Sequence, residues 1–396
     1  MADVLTYNPF LPSVREDPYP VYQALRESDP IHRSPFMDLW LVTRYEDVEQ
    51  LLRDPRLTAD KRLWRSLPSL DEGYVPSMVN LDPPDHTRLR RLVSRPFASR
   101  VVEQVFPWAH QVVDEALDRA AAAGGLDLIE DLAQHVPVAV INRLLGVPAE
   151  DWPRSQYWTR FIMVSVDPLA IPDPARVAGF RAADEEFLEY LGRLVARRRR
   201  EPRDDLISAL VASEGEGALD EGELLSMLAL LLMAGQETTV GLIGNGVLAL
   251  LRHPDQMERL RDHPELLESA VEELLRYDSP GQFALRVARE DLELGGRRIG
   301  AGELVVLGLG AANRDPEKFF EPERLDLARS PNPHLSFGRG GIHFCLGAPL
   351  ARVEAQVAIG ELVRRFPDVR LAGEPVRTET IIMRRLSALP LELGIR

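Results

Sequence analysis

The chain carries a single cysteine, Cys345, and its surroundings give it chemical interest. A lone cysteine ordinarily serves as a small buried hydrophobe. This one ends a glycine-rich stretch, Phe337-Gly-Arg-Gly-Gly-Ile-His-Phe-Cys345-Leu-Gly-Ala-Pro349. Pro349 suits a first helical turn, and Leu350, Val353, Val357, Ala358 and Leu362 then recur at helical spacing, so a helix is expected over 349–366. A sulfur just before a helix N-terminus meets the positive end of the macrodipole and unpaired backbone N–H groups, which favour a thiolate and suit a metal ligand. With no second cysteine there is no intramolecular disulfide, no zinc site built on cysteine pairs and no iron–sulfur ligand set, whereas haem iron needs one protein ligand on its proximal side. Haem-thiolate chemistry is the leading inference.

A second constellation lies in the longest apolar stretch, Leu224 to Leu251, where Ala234-Gly-Gln-Glu-Thr-Thr239 interrupts a run of leucines. The stretch is long enough to cross a bilayer, which takes about 20 residues of helix. A carboxylate at its middle would cost roughly 3 kcal/mol there, acidic residues lead into it, and no Lys/Arg cluster flanks it. It is expected to be a helix through the centre of a soluble protein, apolar all round because it is buried all round. Thr238 is placed to bond back to the Ala234 carbonyl four residues earlier, and Glu237 beside it is a carboxylate that needs a partner or a task. Two weaker signals accompany it. Glu273-Leu-Leu-Arg276 spaces opposite charges three apart on a helix, and His86 and Arg90 lie four apart on another, where exposed pairs contribute only a few tenths of a kcal/mol.

The elements that must position these groups are mostly helical. Apolar periodicity and capping signals predict helices over 18–29, 45–54, 86–122, 131–146, 174–200 and 254–277, with strands at 38–43, 303–309 and within 377–393. Asp291 to Ile299 alternates around Gly295-Gly296 like a hairpin. No repeat, low-complexity tract or interdomain linker is evident, so one domain over 1–396 is expected, mainly α with a small β region. The chain has 396 residues, 45% hydrophobic and 28% charged, which is a globular balance able to bury a large core. Its 47 basic against 62 acidic residues leave a net charge of −15, which disfavours a nucleic-acid binder. The basic run Arg197 to Arg200 closes a predicted helix, where cations complement the dipole and stay solvated. The N-terminus, Met-Ala-Asp-Val-Leu-Thr-Tyr, has no basic region followed by an apolar core, and with one cysteine a reducing cytoplasm is the expected location.

At these residues the sequence resembles the cytochrome P-450 family, specifically its soluble bacterial members. The family's loop reads Phe-Gly-x-Gly-x-His/Arg-x-Cys-x-Gly, and Cys345, Gly347, His343 and Gly341 match it. Phe337 and Gly338 fall one position too far upstream, so the loop holds one extra residue, expected as a bulge at Gly340-Gly341. The resemblance implies that family's fold, with a long central helix over a haem b (iron protoporphyrin IX) bound through Cys345. It implies propionate binding by His86, Arg90, Arg286 and His343, an acid–alcohol pair of Glu237 and Thr238 where the central helix bows open for oxygen and water, and a structural cluster of Glu273, Arg276 and Arg324.

The same resemblance implies a monooxygenase that inserts one atom of O2 into a hydrophobic small molecule by hydroxylation or epoxidation, as in secondary-metabolite tailoring. Because no dinucleotide fingerprint or flavin domain is present, electrons are expected from a separate ferredoxin and ferredoxin reductase using NAD(P)H. Arg95, Arg100, Arg339 and Arg352 could form a docking patch for that acidic carrier. By position, the pocket should include Met78 and Val79, then Leu230, Met233 and Ala234 on the long helix, Gln282 and Phe283, and Ile382. These suit a lipid-like, polyketide, terpenoid or steroid skeleton. A haem-based sensor or carrier without turnover, and a haem-free helical scaffold, are the alternatives.

Overall fold

Local chemistry sets where the elements begin and end in the computed structural model, which describes residues 7–66, 75–94, 99–165, 174–212 and 219–394. Helices α1 (Pro12–Glu16) and α2 (Tyr19–Ser28) lead into strands β1 (Ile31–Arg33) and β2 (Leu39–Val42), helix α3 (Tyr45–Leu51) and strand β3 (Leu57–Thr58). Then come α4 (Asp85–Ser94), α5 (Ser99–Ala123), β4 (Gly125–Asp127), α6 (His135–Leu145), α7 (Trp152–Ser165), α8 (Pro174–Arg200) and α9 (Leu206–Ala212). The long apolar stretch forms α10 (Glu221–Ala234) and α11 (Glu237–Arg252), followed by α12 (Pro254–Asp262) and α13 (Leu267–Tyr277). Strands β5 (Phe283–Ala288), β6 (Leu292–Leu294), β7 (Arg297–Ile299) and β8 (Leu304–Gly308) and helix α14 (Leu309–Ala312) precede the glycine-rich loop. Helix α15 (Ala348–Arg365) and the short strands β9 (Arg370–Leu371), β10 (Val376–Arg377), β11 (Leu386–Ala388) and β12 (Pro390–Glu392) come after it.

Several expected helices divide where their sequences allow it. The segment 254–277 splits because Pro264 cannot donate within a helix and opens a new turn after His263. The segment 86–122 holds α4 and α5 on either side of residues 95–98, which lie outside the described residues, and 131–146 opens on a π-turn at Ile129–Ala133 before α6. Helices α1, α7 and α9 and strands β1, β3, β4, β5 and β9 carry too little periodicity to be picked out beforehand. The glycine hairpin matches expectation: Leu294 pairs with Arg297, leaving the two-residue loop Gly295-Gly296, and both glycines have positive φ as a primed turn requires. One sheet has strand order β1-β2-β8-β5-β3, with β2 parallel to β8 and the other pairs antiparallel.

The apolar stretch is a core element. The most apolar 18-residue window of Glu221–Arg252 is 67% buried, and Val240 to Leu250 of α11 are buried throughout. A capping box starts it: Asp220 accepts from the Glu223 N–H, and Glu223 accepts from the Asp220 N–H. It packs against α6, α7, α13 and α15. The basic run closing α8 is not wholly solvated, because Arg198 is buried, paired with Asp205 and donating to the Gly146 carbonyl at 2.6 Å.

Beneath this core the Glu273–Arg276 pair is fully buried at 2.7 Å. All five guanidinium N–H donors of Arg276 are used, two on Glu273 and three on the carbonyls of Asn313, Pro322 and Arg324. The expected third member, Arg324, contributes only that carbonyl. Its side chain is 63% exposed and turns to Glu321. Arg329 takes the place, with Nε 3.1 Å from both Glu273 oxygens, and the Asn332 amide adds a third donor. The reason is reach: Arg324 sits in a turn whose backbone Arg276 already holds, leaving its side chain outside. Glu273→Gln is expected to cost about 3–5 kcal/mol by leaving buried guanidinium charge uncompensated, whereas Arg324→Ala should stay within about 0.5 kcal/mol. Equal melting temperatures for the two variants would contradict this assignment.

Candidate active site

The central helix is broken. At Gly235-Gln236 the backbone leaves the helical track, with Gln236 at φ −104° and ψ −71°. A Cβ at Gly235 would stand 3.0 Å from Ile141 Cγ1 and 3.0 Å from the Leu231 carbonyl, so α6 can press closely on the break. The opening that the resemblance implies in the central helix is here a break between α10 and α11. The four residues after Gly235 point about 100° apart, and each finds a different partner. Gln236 turns to Ser155 and Thr159 of α7. Glu237 turns to Arg385, just before β11, with Oε2 at 3.0 Å from the guanidinium and both side chains under 10% exposed. The contact is ionic and not an aligned hydrogen bond. Thr238 Oγ1 donates to the Ala234 carbonyl at 2.9 Å. Thr239 donates to Glu354 of α15.

Around Cys345 the extra loop residue is absorbed slightly upstream of the expected place. Gly338 and Gly340 have positive φ, and tight turns close from Gly341 N–H to the Gly338 carbonyl and from Phe344 N–H to the Gly341 carbonyl. A Cβ on Gly341 would come within 2.7 Å of the Leu52 carbonyl, so that position serves close approach and not a left-handed turn. Phe337 still reaches the cysteine: its carbonyl accepts the Cys345 N–H at 2.9 Å, and its ring lies under the Arg352 guanidinium at 4.6 Å. Burial pushes the Cys345 thiol up, opposed by the Gly347 and Ala348 N–H groups and by Arg90 and Arg352. The helix terminus thus lowers the cost of a thiolate without outweighing burial. A bound cation would complete the ionisation.

His86 and Arg90 on α4, Arg286 on β5 and His343 in the loop converge. The two imidazoles lie 4.3 Å apart between centroids. Burial lowers the pKa of both, that of His343 to about 3, with Arg90 and Arg286 adding to it. Both rings are therefore neutral near pH 7. His86 Nδ1 and Nε2 and His343 Nε2 are buried with no hydrogen-bond partner among the described residues. Arg286 is buried and donates to the neighbouring Leu285 carbonyl. A cluster of unspent donors beside a sulfur is what a porphyrin with two propionates would satisfy. The donor set fits haem: Cys345 would hold its iron, and these four residues would meet its propionates.

The expected pocket residues are more scattered. Leu230 and Met233 are half-buried, and Ala234 is exposed although it ends a core helix. Met78 is buried and Val79 is 45% exposed on the turn preceding α4. Phe283 lies three positions from Arg286, hence on the opposite face of β5, and its ring sits against Tyr7 and Tyr22. Gln282 is buried, donates to the Ser279 carbonyl and lines a small cavity with Val14, Ile381 and Arg385. The Ile382 carbonyl accepts the Gln282 N–H at 3.5 Å, fixing the C-terminal turn against this strand. Among the expected docking cations, Arg339 is exposed and Arg352 is held bidentately by Glu272. Arg95 and the Arg100 side chain lie outside the described residues. Arg385 and Glu354 carried no motif, and only their buried polar contacts reveal them; Gln236 stood in the polar interruption of the long apolar stretch, but its partners on α7 were not foreseen.

A sulfur ready for one metal bond and a rim of unspent donors define the class as a haem-thiolate protein. The family profile for cytochrome P-450 matches residues 36–382. The chain is 44% identical to cytochrome P-450 107B1 of Saccharopolyspora erythraea, with 96% of each covered. It is 44% identical to the vitamin D(3) 25-hydroxylase of Pseudonocardia autotrophica, with 96% of this chain and 95% of that one covered. Its fold matches the structure of the bacillaene polyketide synthase cytochrome P-450 PksS of Bacillus subtilis at a TM-score of 0.91, with 40% identity over 98% of this chain and all of that one. The chain belongs to the cytochrome P-450 family. It is a monooxygenase, and its cofactor is haem b held by a cysteine thiolate.

Glu354 yields a pH test. It is 2% exposed, and burial pushes its carboxyl up to about 8, with the Thr239 hydroxyl opposing. An unfolded chain loses this proton near pH 4.3. Between those values the folded state holds the proton more tightly than the unfolded one, so this group's contribution to stability falls as pH rises. Glu354→Gln does not titrate and should gain stability relative to the parent between about pH 5 and about pH 8. A pH-independent difference in denaturation midpoints would show that Glu354 is ionised in the fold.

Proposed function

We propose that this chain hydroxylates or epoxidises a rigid, largely apolar skeleton of polyketide, terpenoid or steroid type. The observation that carries the reading is the break at Gly235-Gln236, after which consecutive residues send a buried carboxylate toward Arg385 and a threonine hydroxyl back to the Ala234 carbonyl. Cys345 holds the cofactor, and His86, Arg90, Arg286 and His343 receive its propionates. The bound haem supplies the redox chemistry of O2 cleavage, helped by thiolate electron donation. Thr238, kept in place by the Ala234 carbonyl, and Glu237, kept in place by Arg385, would order water and move protons at Thr238 Oγ1 and the Glu237 carboxylate. Met78, Leu230, Met233 and Ala234 bind the substrate and keep bulk water away. Relatives named for vitamin D(3) and for bacillaene synthesis support a bulky hydrophobic substrate.

Electrons come from a separate ferredoxin and its reductase in the cytoplasm. Arg339 with the exposed Ile342 and Phe344 beside the cysteine gives that carrier a basic, partly apolar landing point. Thr238→Ala should still bind haem and substrate yet divert O2 to hydrogen peroxide, with product per O2 consumed falling on the order of tenfold or more. Coupling equal to that of the parent would end the proton-relay reading. Cys345→Ser should lose the red-shifted ferrous carbon monoxide band, and spectral titration of the ferric protein with hydrophobic compounds identifies the ligand class.

A further inference from the structure

We propose that Gln236 is a positioning residue that couples the seat of α7 to the Glu237–Thr238 pair. The idea rests on the reading of that pair given above. Gln236 is 1% exposed and extends sideways from the break. Its Oε1 accepts from Thr159 Oγ1 at 2.8 Å, and its Nε2 lies 3.5 Å from Ser155 Oγ. Ser155 and Thr159 are themselves fully buried. The Thr159 hydroxyl has one proton and three acceptors in range: Gln236 Oε1 at 2.8 Å, and the Ser155 and Gln156 carbonyls at 3.1 Å each. The shortest contact runs between helices, so α7 spends this hydroxyl on the break instead of on its own backbone.

The placement matters because α7 touches both halves of the central helix, α10 and α11. At the break the regular ladder gives little restraint: the Gln236 N–H reaches the Met233 carbonyl at only 3.5 Å. The backbone of Gln236 is also the backbone leading into Glu237, whose carboxylate is aimed at Arg385 from the next position. An inward or outward shift of α7 therefore pulls on Gln236 through a buried hydrogen bond and moves Glu237 with it.

Isosteric variants isolate the link. Thr159→Val removes the hydroxyl at constant shape, Thr159→Ser keeps it, and Gln236→Leu removes the amide. In the holoenzyme with a bound substrate, Thr159→Val and Gln236→Leu should each raise the peroxide share of consumed O2 severalfold. The double variant should be no worse than either single, and Thr159→Ser should restore coupling. Hydrogen–deuterium exchange gives a readout independent of turnover: peptides covering 234–240 should exchange faster in Thr159→Val and Gln236→Leu, with those covering 267–277 unchanged. Additive losses in the double variant, a Thr159→Ser as uncoupled as Thr159→Val, or unchanged exchange at 234–240 would overturn the proposal. Thr238→Ala measured alongside separates the two readings. If it couples normally, the role of the pair fails; if it uncouples while Thr159→Val does not, the link fails.

Discussion

Four consecutive polar side chains in the middle of a core helical stretch cannot all be satisfied by that stretch itself. Each buried donor or acceptor left unpaired costs about 1–3 kcal/mol, and a carboxylate costs more. Gln236, Glu237, Thr238 and Thr239 point in four directions, so four separate structures must meet them: α7, the turn before β11, the helix's own Ala234 carbonyl and α15. Much of the tertiary arrangement derives from that requirement. The C-terminal turn must come back to the centre to bring Arg385, and it is held there by bonds from Arg384 N–H to the Pro280 carbonyl and from Gln282 N–H to the Ile382 carbonyl. Helix α15 must run alongside α11 to bring Glu354, which also fixes the direction in which its own N-terminus presents Cys345.

The two polar systems flanking the cysteine loop obey opposite rules. On one side Asn313 donates to Ser279 and Ser336 and accepts from the Leu335 N–H, while Ser336 donates to the Leu275 carbonyl. This chain of satisfied bonds ties α13 to the segment entering the loop, and Arg276 joins it through the Asn313 carbonyl. On the other side the ring nitrogens of His86 and Nε2 of His343 are buried without hydrogen-bond partners among the described residues, beside the buried Arg286 guanidinium. A protein can hold such groups only if the rest of the fold over-determines them, and the satisfied side does so. The unsatisfied side is the one that gains when an anion arrives, so its strain is binding capacity already in place.

The parts of the site legible beforehand were those where residue type and spacing coincide with a local element: the cysteine before a helix, the threonine four residues after a carbonyl in a core helix, the histidine and arginine four apart on α4. Local signals also marked α8, α15, β2, β8 and the Gly295-Gly296 hairpin. What stayed hidden depends on contacts far apart in the chain. Arg385 and Glu237 are separated by over a hundred residues, as are Glu354 and Thr239, and nothing in a local window announces either pair. Arg329 replaced Arg324 because turn geometry, not composition, decides which of two nearby arginines faces inward. Apolar periodicity on both sides gave no sign of the break at Gly235-Gln236, which only the family resemblance implied, and Phe283 lies against Tyr7 and Tyr22 because a strand's two faces cannot be assigned before its register is known.

The buried cations here are arginines: Arg276, Arg286, Arg384 and Arg385 all lie below 10% exposure, whereas the chain's lysines are only Lys61 and Lys318. The choice has a physical consequence. A lysine moved into such surroundings sheds its proton readily, while a guanidinium keeps its charge and spreads it over donors that several acceptors can share. Burial lowers the pKa of Arg276, Arg286 and Arg385, yet from a starting point high enough that all three remain charged at neutral pH. The field on Glu237 and at the propionate rim is therefore fixed across any working pH. Variable protonation near neutral pH is left to Glu354, whose carboxyl burial pushes up to about 8.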